Sequence, residues 1–401
     1  MTPNLLSNVR VLDLSRLLPG PYLTMMLGDF GADVVKIEDP GVGDYLRGAL
    51  DAQHHGGVSS LYQWINRNKR GVIVDLKSDA GRELIHRMAA DCDVVVEGAR
   101  PGASARLGVG YDDIRAVNPK IVYCSVSGFG QTGPFTHLAS HGGAYDAVTG
   151  LAVPYEFEDG TFVQHRPYPH ALVYGSWLGA AAVCAALVRA RDTGEGSYLD
   201  ISCADATVMA LGQELVDVMN NGAGWPPPPE DDIEVRYCYY RTKDDRFMLI
   251  QAVERHFWEG FCDAAERPDL KARGDWSHGR MEFGVDDLEL RHELQQLFRS
   301  RTQAEWTDLF LEKNIAGAPY YPVTELSEVD VFREREMFRT QPNPETGEPF
   351  RTVGNAVRVD GASLPIERTA PRPGQHTAEV LADFGLTATE IADLQTEGVV
   401  V

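Results

Sequence analysis

The residues of this chain whose types and spacing could do chemistry fall into three groups. The first is a basic knot, Asn66 to Arg70 (NRNKR), where Arg67, Lys69 and Arg70 place three cations in four positions of a chain with a formal charge of -22. Cations so concentrated invite an anion, since Lys and Arg hold phosphate or carboxylate through charge-assisted hydrogen bonds. A solvated turn is the plain alternative. The second group is Arg100 and Arg106, which follow the strand-like DVVVEG in GARPGASAR. The third is the stretch from Gly130 to Gly175, which loses periodicity and is rich in Gly, aromatics and His (SHGGAYDAVTG, VQHRPYPHALVYG). Long irregular segments inside a compact domain are usually functional, and Tyr, Trp and His argue against disorder. An imidazole titrates near neutrality, so a His here could exchange a proton; a hydrogen-bonded structural histidine is the competing reading. Cys92, Cys124, Cys184, Cys203, Cys238 and Cys262 are scattered singly with no CxxC pair, which reads as free thiols, with neither a metal site nor a disulfide expected.

These groups must be positioned by strands and helices, and the first unit is Asn8 to Pro40. In VRVLDLS, Val9 and Val11 point to one face and Leu12 and Leu14 to the other, and DVVKIE repeats this with Val34, Val35 and Ile37. Strands apolar on both faces belong in a parallel sheet covered on both sides. Between them Pro21 suits a first helical turn, Leu23, Met26 and Leu27 form an apolar stripe, and Gly31 stops the helix. The loop SRLLPGP then sits at the carboxyl end of the first strand, where open α/β sheets bind ligands. No GxGxxG follows that strand, so this is not a dinucleotide fingerprint. A third strand is expected at Val72 to Leu76 and a helix capped by Ser78 runs to Met88. A fourth strand starts at Asp93, a helix covers Tyr111 to Val117, and IVYCSVSGFG is a fifth strand. Three or four strand ends thus open on one side.

The chain has 401 residues, 43% of them hydrophobic and 24% charged, enough for one large or two ordinary globular domains. No apolar run approaches the ~20 residues of a membrane span, and MTPNLLSNVR lacks the features of a secretory leader, so the cytoplasm is expected. The acidic balance argues against nucleic acid or an anionic membrane as partner. SWLGAAAVCAALVRAR reads as a buried helix, followed by the strand GSYLDISC. GWPPPPEDD reads as a semi-rigid linker. The expected organisation is an N-terminal part of a large α/β domain at 1–223, a linker at 224–232, a small α+β domain at 233–324, and a return segment at 325–401. The small domain should open on a hairpin turning at Lys243 to Asp245, with helices starting near Glu254, Asp287 and Thr302.

At this point a resemblance becomes specific. VRVLDLSRLLPGP with LGDFGADVVKIEDPGVGDYLR, NRNKRGVIVDLKSDAGRELI, DVVVEGARPGASARLGVGYDDI, NPKIVYCSVSGFGQTGP, the DTGEGSYLDIS turn and the tail PGQHTAEVLADFGLTATEIADL together resemble the class III CoA-transferase family. That family also contains α-methylacyl-CoA racemases, formyl-CoA transferase and carnitine CoA-transferase. The resemblance implies a doubly wound, mostly parallel α/β domain, a small α+β domain, and an interlocked dimer, either of this chain alone or with a paralogue. It implies acyl-CoA and carboxylic acids as substrates, with no tightly bound cofactor. By resemblance Leu17, Lys69, Gly98, Ala99, Arg106 and Leu107 fall at CoA-contacting positions, and Arg16, Arg67 and Arg100 are weaker candidates.

The resemblance breaks at the catalytic centre. Transferases of this class carry a nucleophilic Asp just before the buried helix; counting back from Gly194, that position holds Ala171, and no Asp or Glu occurs between Gly160 and Arg191. A methyl group cannot act as nucleophile, base or acid, though His170 is adjacent and could take an acid or base role. His141 in SHGGAY stands where the racemases carry their His, and Glu254 in AVERHFW where they carry its orienting Glu. Three functions follow: transfer of CoA between carboxylic acids, racemase-like α-proton transfer through His141 and Glu254, or a CoA-binding subunit whose paralogue supplies the Asp. Tyr145, Phe162, Tyr168, Tyr174 and Trp177 suggest a bulky apolar or aromatic acyl group.

Overall fold

Strands that are apolar on both faces need helices above and below, and the computed structural model, which describes residues 4–164, 169–222, 234–277 and 279–401, supplies them. In chain order the first elements are β1 (Arg10–Asp13), α1 (Gly20–Asp29), β2 (Asp33–Glu38), α2 (Ser60–Ile65), β3 (Lys69–Ile73), α3 (Asp79–Ala90), β4 (Val94–Glu97), α4 (Ala103–Arg106) and α5 (Tyr111–Val117). They continue with β5 (Val122–Ser127), α6 (Gly142–Val148), the hairpin β6 (Pro154–Glu156) and β7 (Phe162–Gln164), α7 (His170–Thr193), β8 (Ser197–Ser202) and α8 (Cys203–Ala210). The main sheet is parallel throughout, in the order β3-β2-β1-β4-β5-β8. Strand order reverses between β1 and β4, which is the switch point where doubly wound sheets receive ligands.

The two faces sort as the alternation predicts. Leu12, Val35, Val72, Val95 and Tyr123 pack on one side with Leu84 and Met88 of α3 and with Val380, Leu381 and Ile391 from the C-terminal helices Thr377–Asp383 and Ala388–Thr396. Val11, Val34, Val94, Val96 and Val122 pack on the other with Leu23 and Leu27 of α1 and Val183 and Leu187 of α7. Ser78 caps α3, its hydroxyl accepting from the Gly81 N–H. α7 is longer than the expected segment and, by length and composition alone, could cross a membrane; here about half of its apolar stretch is buried, packed on α1, α8 and the sheet.

The chain divides into two compact units, Met1–Val216 with Asp330–Val401, and Asp217–Val329. The expected linker at 224–232 lies outside the described residues. In the smaller unit β9 (Tyr237–Arg241), β10 (Phe247–Gln251) and β11 (Gly317–Pro319), which follow the helix α9 (Gly212–Asn221), form an antiparallel sheet in the order β11-β10-β9. The hairpin turns where Asp245 takes a left-handed backbone, φ 60°. α10 (Arg255–Ala264), α11 (Leu288–Phe298) and α12 (Gln303–Lys313) begin after Glu254, Asp287 and Thr302. Trp258, Phe261, Phe298, Trp306 and Phe310 form their shared core.

Candidate functional site

The carboxyl ends of β1, β4 and β5 converge at the switch point. A Cβ built on Gly98 would stand 3.5 Å from both the Ser15 Cβ and the Val126 carbonyl oxygen, so the turns after β1 and β4 meet the end of β5 there. Leu17 occupies the β1 turn in a left-handed conformation, φ 63°, and its N–H donates to both oxygens of Asp44 at 3.1 and 3.2 Å. Glu97, the last residue of β4, shapes the neighbouring turn by accepting from the Ala99 N–H (2.7 Å) and the Ser104 hydroxyl (2.9 Å). Burial pushes the Glu97 carboxyl above its usual range, against the pull of these donors. The structure therefore sets the turn that carries Leu17 beside Gly98 through Ser15, and places Arg106 and Leu107 at the end of the short helix that follows, with the Arg106 guanidinium folded back toward Gly102.

The basic knot does something else. Lys69 is fully buried, and its ammonium donates to Asp13 (3.0 Å), the Pro21 carbonyl (2.8 Å) and Asn66 (2.9 Å), using all three of its protons. Burial pulls Lys69 down to about 8 against the raising effect of Asp13, and Lys36 adds to the pull. Burial alone would raise Asp13, yet Lys69 and Lys36, with the hydroxyls of Ser15 and Thr24, hold it at about 2. Arg67 is equally buried in a bidentate pair with Asp29 (3.0 and 2.6 Å). Arg70 forks onto Asp33 (3.0 and 2.6 Å) and reaches Glu379 and Asp383. The anions that this knot attracts are the protein's own carboxylates, and the turn is not solvated either. Cations in reach of solvent lie elsewhere: Arg16, Arg100 and Arg106 are exposed and form no ion pair among the described residues, Arg16 resting over the Tyr45 ring at 5.5 Å.

Ala171 is buried at the second position of α7, and its N–H donates to Oδ1 of Asp146 at 2.8 Å. Asp146 is only 2% exposed, and its Oδ2 has no hydrogen-bond partner among the described residues. Burial pushes its carboxyl up, opposed by the Ala171 N–H and by His170. A buried carboxylate thus stands against the Ala171 backbone at the start of α7. Sequence reasoning overlooked it, because Asp146 is 25 positions before Ala171 and only the packing of α6 on α7 joins them. His170 opens α7 with its ring stacked on Tyr174, centroids 6.1 Å apart.

His141 is exposed at the start of α6, and Glu254 is half-buried at the start of α10 in the smaller unit; neither side chain makes a hydrogen bond or ion pair among the described residues. The Tyr145 ring lies over Gly128, where a Cβ would come within 2.0 Å of it, so only glycine fits there. Trp177 is half exposed and donates from its indole to the Tyr22 hydroxyl at 3.2 Å, and Phe162 stands 65% exposed on the β6–β7 hairpin. Tyr168 lies outside the described residues. All six cysteines are free. Two cavities open away from this site, one of 340 Å³ lined by Asp29, Asp33 and Arg70 and one of 540 Å³ lined by His54, His55 and Phe350.

The sequence profile of CoA-transferase family III matches residues 6–377. The chain belongs to this family. It is 31% identical to the succinyl-CoA:glutarate CoA-transferase of Mus musculus, over 94% of this chain and 86% of that one. It is 30% identical to the formyl-CoA:oxalate CoA-transferase of Streptomyces coelicolor, which it matches over the full length of both. Among solved structures, a CaiB/BaiF family protein of Brucella suis superimposes with a TM-score of 0.74 at 22% identity, covering 96% of this chain and all of that one. A hypothetical protein of Mycobacterium tuberculosis gives 0.76 at 24% identity, over 94% of this chain and 99% of that one. Both likenesses show the fold.

Proposed function

We propose that this protein moves CoA from an acyl-CoA donor to a carboxylic acid. The observation that carries the reading is the match over at least 86% of either chain to curated relatives that are named CoA-transferases, and the meeting of the β1 and β4 turns at the switch point supports it. In this reading CoA lies across the β1 and β4 turns, with its phosphates met by the solvent-facing Arg16, Arg100 and Arg106, as charge-assisted contacts require. Lys69 supports that surface from beneath through Asp13.

The family's nucleophile is absent at Ala171, which leaves two routes for the acyl exchange. The acceptor carboxylate can attack the donor thioester carbonyl directly: a C–O bond forms, the C–S bond breaks, and the CoA thiolate then attacks the acceptor's carbonyl in the mixed anhydride and releases the donor acid. Alternatively a paralogous subunit supplies the aspartate. An assembly of subunits fits the apolar surface that α7 and α8 leave open, where Trp177, Val188, Val208 and Met209 are 47–71% exposed; exposed apolar surface of this kind marks association sites. Sedimentation equilibrium at micromolar concentration should show a dimer.

The test is an isotopically labelled acceptor acid incubated with a donor thioester and followed by mass spectrometry. Labelled acceptor thioester should appear with this chain alone or with its paralogue. Deuterium entering the α-carbon of a 2-methylacyl-CoA in D₂O, abolished by His141→Ala and unaccompanied by transfer, would replace this reading with the racemase-like one.

A further inference from the structure

A buried ion pair reaches from β2 to the switch-point turn. Lys36, on β2, and Asp44 are both fully buried and 2.9 Å apart. The Asp44 carboxylate accepts from the N–H groups of Leu17 and Leu46 as well as from Lys36, and the Lys36 ammonium also donates to the Ser15 carbonyl at 3.0 Å. Asp44 is itself anchored, since its N–H donates to Glu38 at the end of β2 (2.8 Å), and Glu38 is clamped by Arg47 (2.6 Å). Gly43 makes the approach possible: it has φ 61°, and a Cβ there would stand 2.8 Å from the Glu38 carboxylate. Leucine rarely adopts the left-handed backbone that Leu17 has, and such a residue persists only where its surroundings over-determine it.

We propose that Lys36 and Asp44 are positioning residues for CoA: one buried ion pair pins the Ser15–Pro19 turn at two backbone groups and holds Leu17 in its left-handed conformation, so the CoA surface is formed before the ligand arrives. This rests on the reading that the Leu17 turn faces CoA. A turn ordered in advance spares the ligand the cost of ordering it, and its loss is felt in affinity more than in turnover.

Asp44→Asn keeps the size of the side chain but sets an amide N–H₂ against Lys36 or against the Leu17 N–H. In calorimetric titration with free CoA its Kd should rise about tenfold or more, the loss expected for one charge-assisted hydrogen bond, and KM should rise with kcat little changed. Asp29→Asn is the control, because it breaks an equally buried pair away from the turn; it should lower the melting temperature and leave the Kd for CoA as in wild type. A Kd unchanged in Asp44→Asn while its melting temperature falls would overturn the proposal. Should Asp44→Asn not fold, Lys36→Met with Asp44→Leu removes both charges, an exchange that buried pairs often tolerate, and the same loss of affinity is expected. Hydrogen exchange on the free wild type reads the pinning without any variant: the Leu17 amide should be protected before CoA is added, and rapid exchange there would contradict the proposal. Wild-type protein that protects this amide but binds no CoA would overturn the CoA reading and leave the pinned turn standing.

Discussion

The two flanks of the main sheet treat buried charge in opposite ways. On the β1–β2–β3 side every buried charge described above has a counter-charge: Lys36 with Asp44, Lys69 with Asp13, Arg67 with Asp29, Arg47 with Glu38. On the β4–β5–α6–α7 side the buried carboxyls of Glu97 and Asp146 meet neutral N–H and O–H donors, and the arginines nearest in sequence, Arg100 and Arg106, face solvent. A complete set of counter-charges leaves the buried cations of the first flank no charge to spare for a ligand. Under-compensated carboxyls are held above their usual pKa at a cost in stability, which is the pattern that functional sites show. The densest run of cations in the sequence therefore lies where the protein's own carboxylates already pair them.

Three variants sharpen that contrast, beginning with the largest effect. Lys69→Ala strands the buried Asp13 carboxylate and should destabilise the protein by about 3–5 kcal/mol in denaturant titration; a change within about 0.5 kcal/mol, combined with a loss of CoA affinity, would return Lys69 to the binding surface. The same pair contributes to the acid limb. Asp13 has a folded pKa of about 2 against an ordinary value of about 3.9, so its stabilising contribution is full above about pH 4 and lost as pH falls toward 2. Arg106→Ala should weaken CoA binding by about 1–3 kcal/mol with an unchanged melting temperature, because its guanidinium forms no ion pair among the described residues. Asp146→Asn has the smallest expected effect of the three in size and, against Asp13, the opposite pH signature. The folded Asp146 holds its proton to higher pH than the unfolded chain does, so it contributes a loss of stability as pH rises from about 4 through its raised pKa. Its amide should flatten that part of the wild-type profile, and an unaltered profile would show that Asp146 is not under-compensated.

Much of the fold was legible because it rests on local patterns. Alternation placed Leu12 and Val35 on one face and Val11 and Val34 on the other, and short-range caps fixed the helix starts after Ser78, Asp287 and Thr302. The fate of the basic knot was not legible, because the partners of Arg67, Lys69 and Arg70 lie 37–313 positions away, at Asp29, Asp13, Asp33, Glu379 and Asp383. Asp146 was hidden for the same reason. No periodicity links a carboxylate on α6 to an amide on α7; only packing does. Leu17, Gly98 and Ala99 were found through family motifs, and the sheet order explains why the turns that carry them meet.

The central claim is that the switch point binds CoA through its solvent-facing arginines while the buried cations serve the fold. Calorimetric titration of free CoA into the wild-type protein at several salt concentrations tests it most directly. The account predicts saturable binding that weakens as salt rises, since exposed charge pairs are screened, and a shallower salt dependence in Arg106→Ala. Absence of binding heat at every salt concentration, or binding that is indifferent to salt, would contradict it.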